Sequence, residues 1–255
     1  MIFKKITVRE DDVFKNKLDI VSTSKEIFKK NPGIIFYPIT GALLSIISFV
    51  LLIMISKGSG AVILALILWY LLFNTIVVFF NTASVASAKI ALNGGKPKFS
   101  DGTREAFKRM NLIINWALFD GVFSFMMGLL ADLKLTKAFA YAGEIAWAFV
   151  KYFIVPVMVF ENKGVKEAIA ESQKLIKKSW GRSLSGEFKI SFVSMVPFII
   201  VLLILIFSSV LKDEIVTYSL FVITIFTFLL GSLINFSLRS IFCTVLYMNA
   251  KGKIK

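Results

Sequence analysis

Val165 to Trp180 reads VKEAIAESQKLIKKSW, entered through Val155-Pro156 and left at Gly181. Wound as a helix, it gathers Val165, Ala168, Ile169, Ser172, Leu175, Ile176 and Trp180 on one side. Lys166, Glu167, Glu171, Lys174, Lys177 and Lys178 occupy the rest. That pattern predicts a basic amphipathic helix lying along a surface. Two other stretches have the same shape, Lys25 to Pro32 with Lys29 and Lys30, and Arg104 to Asn111 with Lys108 and Arg109. Each stands just before a long apolar run. The chain is therefore expected to be all-α, a polytopic membrane protein with six transmembrane helices in three hairpins, each preceded by a basic amphipathic interfacial helix.

The runs are long enough for this. A helix needs about 20 apolar residues to cross a bilayer. The expected spans are 33–56, 61–88, 111–131, 138–160, 190–211 and 215–238, in a chain of 255 residues that is 57% hydrophobic with mean hydropathy +0.78. Residues 1–32 read as a lead-in plus the first amphipathic helix, 33–250 as the membrane domain and 251–255 as a basic tail. Thr23 with Glu26 has the spacing of a capping box, which predicts a helix start there. The first apolar run begins only at Gly33 and no small-residue cleavage site follows it, so it is expected to be a retained anchor. Lys57-Gly58-Ser59-Gly60 and Asn93-Gly94-Gly95-Lys96-Pro97-Lys98 are turn and loop signals.

The net charge of +14 comes from 30 Lys and Arg against 16 Asp and Glu. In a soluble protein this would suggest nucleic acid, but no nucleic-acid-binding module is recognisable. The basic residues instead border apolar spans, which points to the bilayer and its anionic headgroups as the partner. Nearly all of them fall on one side of the expected topology, against Lys57, Lys134, Lys137 and Lys212 on the other. The positive-inside rule then predicts a multi-pass protein of the cytoplasmic membrane with both termini in the cytoplasm. The sequence holds no His and one Cys, Cys243, which excludes histidine bases, internal disulfides and Cys/His zinc sites. No nucleotide-binding glycine pattern or paired catalytic carboxylates occur. The chain is expected to be neither an enzyme nor a cofactor protein.

The segment Pro156 to Gly164, with Glu167-Ala168, Ser172 and Ser179-Trp180-Gly181, resembles the signature of an uncharacterised family of prokaryotic multi-pass membrane proteins. Phe80-Asn81, Ala88, Leu92, Gly94-Gly95 and Asp101-Gly102 are similar to that family's first half. The resemblance implies the six-span topology and brings no activity with it.

Charge inside the spans is the first place to seek function, because an ionisable group at mid-bilayer costs about 2.5–3.5 kcal/mol on insertion scales. Asp120, Glu144, Lys151 and Arg239 are the candidates. About the turn near Lys134, Asp120 and Lys151 are offset by three residues, ~4.5 Å along a helix, which a lysine side chain can reach. Glu144 shares the face of Lys151. The set reads as a proton or ion relay or as a structural pair that pins helix register, while Arg239 is expected to snorkel to phosphates. Asn74 and Asn81 in the second span and Asn235 in the sixth fit either a hydrated path or packing contacts among small residues. Pro38, Pro156 and Pro197 are expected to kink or break their helices. Lys29, Lys30, Lys108, Arg109, Lys174, Lys177, Lys178 and Trp180 form the expected lipid or partner surface. Two functions follow as expectations: a permease or channel for a small solute or ion, or a non-transporting scaffold or lipid-binding protein.

Overall fold

A computed structural model describes the backbone of residues 19–133, 136–208 and 214–252, with the side chains of 19, 59, 180–198, 205, 207, 208, 214 and 217 outside the description. The described residues are helical almost throughout. In order they form α1 (Asp19–Lys30), a 3-10 turn at Pro32–Ile35, α2 (Phe36–Ile55), α3 (Ser59–Leu92), α4 (Phe99–Phe107) and α5 (Met110–Asp132). Then follow α6 (Lys137–Lys151), α7 (Ile154–Glu161), α8 (Val165–Ser208) and α9 (Glu214–Ala250). Five stretches among the described residues are long and apolar enough to cross a membrane: Pro32–Ile55, Gly60–Leu92, Met110–Asp132, Lys137–Glu161 and Tyr218–Ala250. The expected fifth span lies in α8 up to Ser208, and many of its side chains fall outside the description, as do most of the N-terminal lead-in and residues 253–255. Sequence neighbours α2 and α3, α5 and α6, and α8 and α9 pack on one another.

The distribution of burial explains why the bundle holds together. Large apolar side chains stand exposed along α2 from Leu43 to Ile55, α3 from Ile63 to Phe73, α5 from Leu118 to Leu129 and α9 from Ile215 to Leu230. A surface of this kind is costly in water and natural against hydrocarbon. The core sits at the other end of the bundle. There α3 from Val78 to Ala88 is surrounded on every side, and Ile113, Trp116 and Ala117 of α5, the whole of α7, Ala168 to Ile176 of α8 and Leu238 to Ala250 of α9 close over it. Helices α3, α8 and α9 contain 34, 44 and 37 residues. All exceed the length a bilayer requires, and their surplus turns build this head.

Those surplus turns change the expected role of the surface helices. Val21, Ser24 and Ile27 of α1, and Ala168, Ser172, Leu175 and Ile176 of α8, face the protein core and not a headgroup layer. The physical reason is that protruding α3 and α9 offer dry, shaped apolar surface, which packs an apolar stripe better than a fluid boundary does. The end of α9 past Arg239, expected in the interface, is buried in the same head. Helix α1 is already under way at Asp19, where the described residues start, so Thr23 and Ser24 lie inside it and no capping box forms at Thr23; Ser24 Oγ instead donates to the Ile20 carbonyl at 2.6 Å. Gly181 ends nothing either, since α8 runs straight through it.

Helix α4 docks where the sequence has a glycine. Asp101 accepts the Lys98 N–H at 2.9 Å and starts the helix. Gly102 then rests on α3: a Cβ there would meet the Ala83 carbonyl oxygen and Ser87 Oγ at 2.5 Å each, and Tyr37 Oη closer still. Tyr37 Oη lies 2.6 Å from Ser87 Oγ and donates to the Phe99 carbonyl at 3.2 Å, tying α2, α3 and α4 together.

Candidate functional site

The span from Lys137 to Glu161 is not one helix. Pro156 has no N–H to give the Tyr152 carbonyl, and its ring crowds that oxygen, so the helix opens at Tyr152–Phe153 and restarts as α7. Exposed backbone groups at such a point need partners. Ser172 of α8, itself fully buried, supplies both: its Oγ accepts the Phe153 N–H at 3.2 Å and donates to the Val150 carbonyl at 2.6 Å. The break is thus held by a side chain from another helix, with the C-terminal end of α6 carrying Lys151.

Lys151 Nζ reaches Asp120 Oδ1 of α5 at 3.4 Å. The same oxygen accepts the indole N–H of Trp147 at 2.7 Å. Asp120 retains 13% side-chain exposure and Lys151 38%, so the carboxylate is the enclosed partner and the ammonium the accessible one. Trp147 is set by rings, 4.2 Å from Phe123 and 5.7 Å from Trp116 between centroids. Glu144 joins Trp147, Lys151, Phe123 and Ser124 around a cavity of about 270 Å3. The structure therefore brings Asp120, Glu144 and Lys151 to one place beside the helix break. A base and an acid on a small cavity, with a second acid paired to that base behind it, can exchange a proton or hold a cation or anion as it passes.

The other polar candidates are elsewhere. Asn81 Oδ1 accepts from Ser240 Oγ at 2.9 Å, joining α3 to α9. Asn74 Nδ2 donates to the Tyr70 carbonyl of its own helix at 2.9 Å. Asn235 Oδ1 is buried with no hydrogen-bond partner among the described residues. Arg239 is exposed on α9. None of these residues lines the cavity between Glu144 and Lys151.

The basic surface divides. Lys29, Lys30, Lys108, Lys174 and Lys177 are exposed, with Lys30 paired to Glu26 and Lys108 to Glu105 at 2.6 Å each. Arg109 turns inward. Its guanidinium donates to the Met158 and Val159 carbonyls at 3.2 and 3.1 Å, closing the C-terminal end of α7, and its Nη1 meets Glu105 Oε2 at 2.7 Å. Lys178 does the same for α9, donating to the Ala250 carbonyl at 2.7 Å. Both residues serve helix ends, Arg109 half-buried and Lys178 still exposed. The Trp180 side chain lies outside the described residues.

A cluster that sequence patterning does not reveal ties α7, α8 and α9 together. Glu161 pairs with Lys163 at 2.6 Å and with Lys251 at 2.7 Å, Lys163 reaches Glu171 at 3.0 Å, and Lys251 also pairs with Glu171. The Tyr247 hydroxyl donates to Glu161. Lys251, expected in a loose basic tail, closes this ring. Hydrogen bonds from Lys251 and Lys163 hold the Glu171 carboxyl below its ordinary range. Lys251 stands 80 positions from Glu171 and farther still from Glu161, so only the Glu161–Lys163 proximity could have been noticed in the sequence. Trp147 was more accessible to reading, since it stands one helical turn before Lys151 on the same face.

The fold and this site define a helical membrane protein with an ion pair between two of its apolar helices. A family model described as a family of unknown function (DUF6159) matches residues 60–254. The chain belongs to that family. No curated protein and no solved structure matches it.

Proposed function

We propose that this protein is a permease or channel for a small solute or ion, with Asp120, Glu144 and Lys151 as its working groups. One observation carries the reading: opposite charges border a cavity at the point where a membrane-length helix is broken. Discontinuous spanning helices are where transporters commonly hold their substrates, because the freed ends and nearby charges replace the solvation a small ion loses. A pair that merely pinned helix register would need neither the adjoining cavity nor the third charged group. The positive-inside rule puts the α1, α4 and α7 end in the cytoplasm.

A second reading has its own support. The exposed Lys29, Lys30, Lys174 and Lys177 would attract an anionic leaflet by about 1 kcal/mol each, as a lipid-binding scaffold would use them.

Proton and potassium flux through the purified full-length chain in liposomes tests the first reading. Replacing Asp120→Asn together with Lys151→Met leaves neither member of that pair facing a lost partner, and Glu144 is exposed, so the double variant should stay folded with much of the stability lost in the single variants restored. Flux should vanish, because charge handling needs the titrating groups themselves. A double variant that conducts as the parent does, or a parent no leakier than empty liposomes, overturns the proposal.

A further inference from the structure

Helix α6 has a second working face. Ile145, Ala146, Phe149 and Val150 point away from Glu144 and Lys151, as helical spacing requires, and with Ile176 and Lys177 of α8 they line an apolar groove of about 690 Å3. We propose that this groove binds one acyl chain of an anionic phospholipid, with its phosphate held against the Lys177 ammonium.

Three observations converge on that occupant. The groove lies on a helix that is long and apolar enough to span a membrane, so hydrocarbon is the solvent at its mouth. Water entering so apolar a trough would find few hydrogen-bond partners, whereas a chain of methylenes matches its walls. Lys177 is exposed, and no described residue pairs with its ammonium. Its neighbour Lys178 is already donating to the Ala250 carbonyl, so the free charge at the groove is that of Lys177. Lys174 stands exposed one turn earlier, adding positive potential where a headgroup would rest. Free phosphate would satisfy Lys177 alone and leave the trough empty; a lipid satisfies both. The volume falls within the roughly 300–1,000 Å3 of ordinary ligand sites.

The test is native mass spectrometry of the intact chain, purified in detergent with equal phosphatidylglycerol and phosphatidylcholine. The parent should retain one phosphatidylglycerol in preference to phosphatidylcholine. Lys177→Gln should lower that preference about fivefold, the effect of one interfacial basic residue, without disturbing the fold, because the side chain is exposed. Ala146→Phe, which fills the groove from an exposed position, should reduce retention of both lipids. Equal retention of the two lipids by the parent overturns the proposal. So does a Lys177→Gln variant that still prefers phosphatidylglycerol as the parent does, whether or not the Ala146→Phe protein folds. The readout is bound lipid and not flux, so its failure is distinct from a failure of the transport reading.

Discussion

Gly102 shows how one missing methyl group positions a helix. A Cβ at this point would press on the Ala83 carbonyl and on two hydroxyl groups of the Tyr37–Ser87 pair. The Ser87 hydroxyl could rotate away, but the Tyr37 oxygen is fixed on a buried ring and the carbonyl belongs to the backbone of α3. Gly102→Ala should therefore lower stability by about 1–3 kcal/mol, the usual cost of overpacking, as read by thermal unfolding in detergent. Gly128 sits in a helix with nothing within 4 Å of its Cβ position, so Gly128→Ala should be neutral or slightly stabilising. Equal effects at the two sites would refute the close-approach argument. Residue-scale chemistry also accounts for Ser172. Its hydroxyl meets both a donor and an acceptor left open by the break between α6 and α7, which is why a small polar side chain stands in an otherwise apolar stripe.

Between helices, the ring of Glu161, Lys163, Glu171 and Lys251 joins α7, α8 and α9 at the packed end. Its pH dependence has a definite sign. The Glu171 carboxyl is held below its ordinary value of 4.5, chiefly by the Lys251 hydrogen bond and then by Lys163. A depressed folded-state value means the stabilisation is complete above the unfolded value and is lost as pH falls through the folded one. The melting temperature should thus fall on acidification below about pH 4.5, and Glu171→Gln should be less stable than the parent at neutral pH but fall less steeply there. Parallel curves for parent and variant would remove the ring from the account of stability. Arg109 and Lys178 act at the same scale, each using a cation on the negative end of a helix that another element delivers.

For the whole molecule, the expected topology puts the α3–α4 and α7–α8 connections on one side of the membrane and the α2–α3 turn on the other. Single cysteines at Lys96, Gly164 and Gly60 in a Cys243→Ser background test it. A Cβ at Gly164 or Gly60 meets nothing within 4 Å, so these sites should accept the change. An impermeant thiol reagent should label Lys96→Cys and Gly164→Cys from one face, and Gly60→Cys from the opposite face only. Labelling of Lys96→Cys and Gly60→Cys from the same face would discard the topology.

The all-helical class with helices of membrane-crossing length was legible in the sequence, as were the turn after α2 and the loop after α3, because apolar run length and Gly, Asn and Pro punctuation are local properties. The sequence also supplied the meeting of Asp120 with Lys151, since two residues only slightly offset about a turn come within reach of a lysine side chain when the two helices fold back. Only the tertiary structure decided what the basic, apolar-striped segments do. A stripe such as Ala168, Ser172, Leu175 and Ile176 has the same spacing whether it faces lipid or protein, and the surplus turns of α3 and α9 are what turned it inward. The same holds for Arg109, Lys178 and Lys251: a charge written in the sequence carries no address, and the helix ends and carboxylates they reach lie far along the chain. The break at Tyr152–Phe153 is divided between the two levels, for Pro156 required a disturbance and Ser172, from another helix, allowed it to become a clean interruption.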